Sequence, residues 1–230
     1  MKAELFDQLV ADRGAKRAVA VVTRLEDGLQ ALVRDDAVAG DLALTAEQLD
    51  ETRQRLRTDR SGALASADGA LFVRCHVGAP RLVVIGAVHV TQALAPMAAI
   101  AGFEVVVVDP RRAFATPERL PGVSMTTEWP DEALERIGID AQTAVVTLTH
   151  DPKLDDPALV VALQSPAFYI GSLGSTRTHA KRVERLTEAG LGEAVGRIHA
   201  PVGLDLGGRS PAEIAVAILA QVIQTRHGRR

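Results

Sequence analysis

The run Val83-Val84-Ile85-Gly86-Ala87-Val88-His89-Val90, followed by Val105-Val106-Val107-Val108-Asp109-Pro110, constrains this chain more than any other stretch. It reads as strand, tight turn, alanine-rich helix, strand and acidic residue, the opening of a nucleotide-binding βαβ unit. Asp109 lies 23 positions after Gly86, about where a ribose-binding carboxylate belongs. Val88, however, occupies the place of the second glycine of G-x-G-x-x-G/A. A glycine there lets the backbone approach a pyrophosphate with no Cβ in the way, so Val88 disfavours an ordinary nicotinamide dinucleotide.

The same region poses a membrane question. Leu82 to Val108 is apolar enough for a sliding window to flag it as a span. Its β-branched residues cluster at the two ends, alanines fill the middle, and Gly86 and Gly102 mark the joins. Strands buried on both faces read this way, which favours a parallel sheet and no membrane association. The N-terminal stretch, Met1 to Lys16, is charged throughout and carries no signal-peptide core, so a cytoplasmic protein is expected. Basic and acidic residues number 11 and 13 over residues 1–80 and 15 and 16 over 81–230. No basic face dominates, which argues against nucleic acid as a partner. With 3% aromatic residues in a 47% hydrophobic chain, the core must be built from Val, Leu, Ile and Ala. The single cysteine, Cys75, rules out an internal disulfide and reads as a small buried hydrophobe on a strand.

Two segments follow from the patterning, a small α+β domain over 1–78 and a larger domain over 79–230, joined at Gly78-Ala79-Pro80. In the first, Glu4 to Arg13 and Thr45 to Arg57 read as helices, and Leu71 to His76 reads as a strand. Ala18 to Thr23 and Leu29 to Val33 form a hairpin around Asp27-Gly28. In the second, strands are expected at 81–86, 103–108, near Met125, at 143–147 and at 167–170, alternating with helices. Pro130 begins one helix, and Asp156 and Pro157 are expected to cap and open the next. Another helix covers 175–189, and the last opens on a capping box at Ser210-Pro211-Ala212-Glu213. Strict alternation of strand and helix implies an α/β, doubly wound parallel sheet.

In such sheets ligands lie beyond the carboxyl ends of the strands, at a topological switch point. Four post-strand clusters are therefore the candidate site: Gly86, Ala87, Val88, His89 and Val90; Asp109, Pro110 and Arg111; Thr149, His150 and Asp151; and Gly171, Ser172, Leu173, Gly174 and Ser175. The first and last can offer helix N-termini to anions, the last with Arg177 nearby. His150, with Asp151 to orient it, is the acid–base candidate, and adjacent loop residues that point apart are the alternative. Asp109 with Arg111 leaves a ribose hydroxyl and a phosphate both open as partners. The remaining histidines, His76, His179, His199 and His227, have no metal-site spacing, and no metal is expected.

These motifs, with Ala115-Thr116-Pro117-Glu118-Arg119, Leu148-Thr149-His150-Asp151-Pro152-Lys153, Phe168-Tyr169-Ile170-Gly171 and His199-Ala200-Pro201-Val202-Gly203-Leu204-Asp205, resemble the XdhC/CoxI family over about residues 81–225. The resemblance implies a Rossmann-like domain that binds molybdenum cofactor, a molybdopterin with or without a nucleotide, in a maturation factor that is not itself catalytic. It also implies delivery to an apo molybdenum hydroxylase such as xanthine dehydrogenase or carbon monoxide dehydrogenase. The sulfurated form would come through a cysteine desulfurase, and a homodimer is left open. Longer family members carry an N-terminal Gly-Gly-Cys-x-Glu segment, whereas Gly-Gly occurs here only at Gly207-Gly208 and Cys75 follows Phe72-Val73-Arg74. The alternatives carried forward are an NAD(P)-dependent oxidoreductase with its pocket near His150, and an interaction module with a decayed nucleotide site.

Overall fold

A computed structural model describes residues 1–15, 17–66 and 69–228; Lys16, the end of the charged N-terminal stretch, lies outside them. The chain divides into two units, Met1–Gly78 and Ala79–Arg230.

In the first unit, helix α1 (Ala3–Gly14) precedes strands β1 (Val19–Arg24), β2 (Gln30–Val33) and β3 (Val38–Gly40), and helix α2 (Ala46–Arg57) precedes β4 (Gly62–Leu64) and β5 (Leu71–His76). The strands pair antiparallel in the order β3-β2-β1-β5-β4. Side chains alternate across a strand, so β1 divides between two cores. Ala20 and Val22 pack with Val73, Cys75 and Leu56 of α2, while Val19 and Val21 pack with Leu5 and Leu9 of α1. That is why β1 is an unbroken apolar run. Each fully buried Val or Leu contributes about 1.5–3 kcal/mol. Thr45 and Gln48 close a capping box at the start of α2. The buried Asp12 is held by Arg34 at 2.6 Å and Arg17 at 3.3 Å. The helices and the hairpin stand where the sequence puts them; the short strands β3 and β4 carry too few apolar positions to be read from it.

The second unit is the doubly wound α/β sheet. Its elements are β6 (Arg81–Ile85), α3 (His89–Ile100), β7 (Glu104–Val108), β8 (Ser124–Thr126), α4 (Pro130–Ile137), β9 (Thr143–Thr147), α5 (Pro152–Gln164), β10 (Tyr169–Ser172), α6 (Thr176–Glu188), β11 (Ile198–His199) and α7 (Pro211–Arg226). All strands are parallel, in the order β11-β10-β9-β6-β7-β8. One face packs Leu82, Val84, Val107 and Val146 against Leu94 and Ala98 of α3 and Ile218 and Val222 of α7. The other packs Val83, Ile85, Val108 and Val145 against Leu134 of α4, Leu159 of α5 and Leu186 of α6. The chain leaves β6 toward β7 and β8, then returns to place β9 on the other side of β6. The switch point thus lies between β6 and β9.

Two boundaries differ from the sequence reading: strand β10 runs Tyr169–Ser172 and not 167–170, so Gly171 and Ser172 belong to the strand and not to the loop after it, and the start of α5 also shifts. Helix α5 begins at Pro152, with Asp151 as its N-cap, and Pro157 lies inside the helix. Two Asp-Pro pairs compete, and the first opens the helix, the Asp151 carboxylate accepting the Lys153 N–H at 3.0 Å. The cost is a Lys153 carbonyl that Pro157 cannot serve. Asp156 instead binds Arg185 of α6 at 2.5 and 3.0 Å, and Asp155 turns inward. Strand β11, two residues long, is too short to be read from the sequence. Among the described residues no helix is long and apolar enough to cross a membrane.

Candidate functional site

The loops that follow β6, β7, β9 and β10 lie at the carboxyl end of the sheet around the switch point, where sheets of this kind open a crevice. After β6, Gly86 adopts φ +109°, and a Cβ there would lie 2.8 Å from the Thr149 methyl. Only glycine satisfies both the conformation and the contact, which seats the β6 loop directly on the β9 loop. The Gly86 carbonyl accepts the Thr91 hydroxyl at 2.5 Å. Val88 is the N-cap of α3 and supplies no capping hydrogen bond, so among the described residues the first amides of the helix, those of His89, Val90 and Thr91, have no side-chain acceptor. His89 is exposed, whereas Val90 turns into the core.

Asp109 is where the sequence reading put it but does another job. It is fully buried, and its two oxygens accept the Ala87 N–H at 2.8 Å, the Arg111 N–H at 3.0 Å and the Arg111 guanidinium at 2.9 and 2.8 Å. Burial pushes this carboxyl up, but the Arg111 and Ala87 hydrogen bonds outweigh it and hold it below the usual range. Asp109 therefore braces the β6 loop from inside. Arg111 remains partly exposed and lies over the Phe114 ring at 4.5 Å. The Asp109 hydrogen bond raises the Arg111 pKa, with smaller contributions from the charges of Asp151 and Asp155 in and after the β9 loop. Pro110 is half-buried between Asp109 and Arg111.

In the β9 loop, Thr149 bridges two residues: its hydroxyl donates to Asp155 at 2.7 Å and accepts the Asp151 N–H at 3.0 Å. His150 is exposed with φ +61°, a left-handed conformation that histidine tolerates better than most side chains. The Asp151 carboxylate is engaged in capping α5, and no hydrogen bond joins it to His150 among the described residues. The His150–Asp151 pair is thus not arranged as an oriented acid–base couple.

At the end of β10, Ser172 is buried with its hydroxyl 2.6 Å from that of Thr147, and in the loop that follows the Leu173 N–H donates to the Thr147 carbonyl at 2.9 Å. Gly174 adopts φ +142°. Ser175 caps α6 through the Thr178 N–H at 3.2 Å, so this helix start satisfies one of its own amides. At Gly171 a Cβ would strike Val202 at 2.6 Å and the Tyr169 ring at 2.7 Å.

Sequence reasoning missed Asp155 and Arg182 as site residues. Both are buried, at 1% and 2% exposure. The signal was spacing: Asp155 lies one turn after Asp151, and Arg182 lies one turn before the buried Leu186, on the inward face of α6. Burial pushes Asp155 up, opposed by the Thr149 hydrogen bonds and by attraction to Arg182 and His150. Burial draws Arg182 down. Elsewhere, Cys75 is 6% exposed, its thiol donates to the Arg60 carbonyl at 3.6 Å, and burial raises its pKa, the profile of a packing residue. Among the described residues no three His, Cys, Asp or Glu side chains gather as a metal site.

A parallel sheet of this order, with a glycine turn leading into a helix at its switch point, defines a Rossmann-type domain. Comparison with known proteins gives the family. Residues 82–222 match the model of the XdhC Rossmann domain, and the chain belongs to that family. It is 34% identical to the uncharacterized protein YqeB of Escherichia coli over 79% of its length. It is 33% identical over 68% of its length to a Bacillus subtilis protein described as a probable xanthine dehydrogenase component. To the molybdenum cofactor insertion chaperone PaoD of Escherichia coli it is 30% identical over 93%. It spans 35%, 46% and 57% of those three proteins. The crystal structure of a xanthine dehydrogenase from Bacillus halodurans superposes with a TM-score of 0.69 at 22% identity, covering 99% of this chain and 65% of that one, and supports the fold.

Proposed function

We propose that this chain binds molybdenum cofactor in the crevice between the β6, β7, β9 and β10 loops and passes it to an apo molybdenum hydroxylase. The observation that carries the reading is the start of α3. Its leading amides have no side-chain cap, while the neighbouring Ala87 N–H is taken by a carboxylate that is itself saturated. Such a terminus favours a phosphate through its N–H groups and its positive dipole end. With Asp109 engaged on both oxygens, the acid expected for an adenosine ribose has no acceptor to spare. A phosphorylated pterin suits this site better than a nicotinamide dinucleotide. The matches to PaoD and to the Bacillus subtilis protein support the same assignment.

Within the crevice, the α3 amides would hold the cofactor's phosphate and Arg111 would add positive charge at its rim. The Thr149 and Ser172 hydroxyls, both engaged internally, keep the walls fixed. A pre-set site of this kind binds and releases cargo without moving protons, which fits a chaperone better than an enzyme. Sulfuration before delivery, with a cysteine desulfurase as sulfur donor, completes the proposal. Cys75 takes no part in it, since its sulfur is packed in the first unit.

Loading the purified chain with cofactor and oxidising it with acid and iodine should release a fluorescent pterin. Fluorescence no greater than that of an unrelated Rossmann protein treated alike would overturn the proposal. Tight NAD(P)H binding and turnover by the native chain would favour the oxidoreductase instead.

A further inference from the structure

The first unit gathers positive charge around a concavity of its own. Leu5 and Leu9 seat α1 on the face of the sheet that carries Val19 and Val21. Arg13 follows Leu9 by four residues and extends that row into the last turn of the helix. His76, the last residue of β5, pairs with Val19 and so lies on the same face of the sheet. Arg17, between α1 and β1, has its Nε 3.3 Å from an Asp12 carboxylate oxygen, and its backbone N–H donates to the Asp12 carbonyl at 2.8 Å. Arg13, Arg17 and His76, with Val77 and Gly78, line a cavity of about 180 Å³.

The charge around this cavity is poorly balanced. Asp12 is buried and already serves Arg34 at 2.6 Å as well as Arg17. The Arg13 guanidinium and the His76 ring have no hydrogen-bond or ion-pair partner among the described residues. Burial lowers the His76 pKa, and the charges of Arg13 and Arg74 lower it further. Arg17 also borders a second concavity with Asp35 and Asp36, where Asp35 pairs with Arg57 at 3.3 Å. The dipole of a helix end, about half a charge, accounts for a cation at Arg13. It accounts for neither Arg17 nor His76.

We propose that Arg13, Arg17 and His76 form a binding site for a phosphate group, either the free ion or a small monoester, within the first unit. The guanidinium groups supply charge-assisted hydrogen bonds, and the imidazole, neutral above pH 7, supplies one N–H donor. Donors arriving from α1, β5 and the segment between α1 and β1 suit the several oxygens of a phosphate better than the two of a carboxylate. The cavity lies below the roughly 300 Å³ at which sites for drug-sized ligands begin, so it takes the anionic group and not a ring system attached to it. This site is independent of the cofactor reading above.

A titration of the full chain with inorganic phosphate at pH 7.5 and constant ionic strength, followed by NMR of the histidine rings, tests the site. His76→Gln identifies the His76 signals. They should move along a saturable curve toward their protonated positions, because a bound anion relieves the repulsion from Arg13 and Arg74. Chloride at the same ionic strength should not move them. Arg13→Gln combined with Arg17→Gln should weaken phosphate binding at least about tenfold. If that variant does not fold, Arg13→Gln alone should weaken it by about threefold or more, since the Arg13 guanidinium has no other partner among the described residues. Val88→Asp, which alters the start of α3, should leave the His76 response unchanged. A glycerol phosphate arm separates the two sources: equal binding assigns the site to monoesters, and weaker binding assigns it to the free ion. Equal responses to phosphate and chloride would overturn the proposal. So would native affinity in the arginine variants, or loss of the His76 response in Val88→Asp.

Discussion

At Gly86, a φ of +109° and a Cβ position 2.8 Å from the Thr149 methyl meet in one residue. Gly86→Ala is expected to cost about 1–3 kcal/mol of stability in a urea titration, through backbone strain and the displaced Thr149. Asp109 gives a pH-dependent prediction. Its folded pKa lies below the ordinary carboxylate value, so the stability it contributes is present above roughly pH 4 and fades as pH falls through its folded pKa. Asp109→Asn should lower stability by roughly 1–2 kcal/mol near neutral pH, a figure discounted for the partial exposure of Arg111, and the deficit should close in acid. Asp155 works with the opposite sign. Its pKa is raised, so its ionisation costs stability increasingly as pH rises through the folded value. The positions of Gly86 and Asp109 were legible because a strand-turn-helix-strand pattern fixes where they fall. The role of Asp109 was not, because the same acid can face a ribose or brace the turn, and only the engagement of both its oxygens separates the two.

Among the elements, α3, α5 and α6 differ in how they begin. Asp151 caps α5 and Ser175 caps α6, while α3 starts on Val88 with no side-chain cap among the described residues. Asp151→Ala should cost about 1 kcal/mol of stability by the loss of a helix cap, measurable by thermal unfolding. The long strands and helices of both units were readable from apolar periodicity and caps, because each buries a whole face or stripe. The start of α5 was not, because Asp151-Pro152 and Asp156-Pro157 both satisfy the local rule for a helix start. Tertiary contacts decide between them. Asp155 is engaged by Thr149 and Asp156 by Arg185, so the Asp156 carboxylate is not left to cap a helix that begins at Pro157. Strands β3, β4 and β11 are two or three residues long and derive their pairing from neighbours, so no local pattern announces them.

For the whole molecule, the two units have separate cores, and the crevice is made entirely from the second. We propose that residues 79–230 fold alone and retain cofactor binding, an outcome that circular dichroism and a binding titration on that fragment would check. Cys75→Ser in the full chain should reduce stability by roughly 1 kcal/mol and leave cofactor binding unchanged, since the thiol only fills the first unit's core. The family is written in motifs that fall on the post-strand loops, which is why it could be read without a structure. The central claim is that the bare start of α3 holds the anionic part of the cofactor. Equilibrium binding of isolated molybdenum cofactor to the native chain and to Val88→Asp tests it most directly, because aspartate would cap the helix and set a negative charge where the phosphate belongs. The account predicts that the native chain binds and that the folded variant loses at least about tenfold in affinity, or about 1.4 kcal/mol. Equal binding by both, with the variant's fold intact, would contradict it.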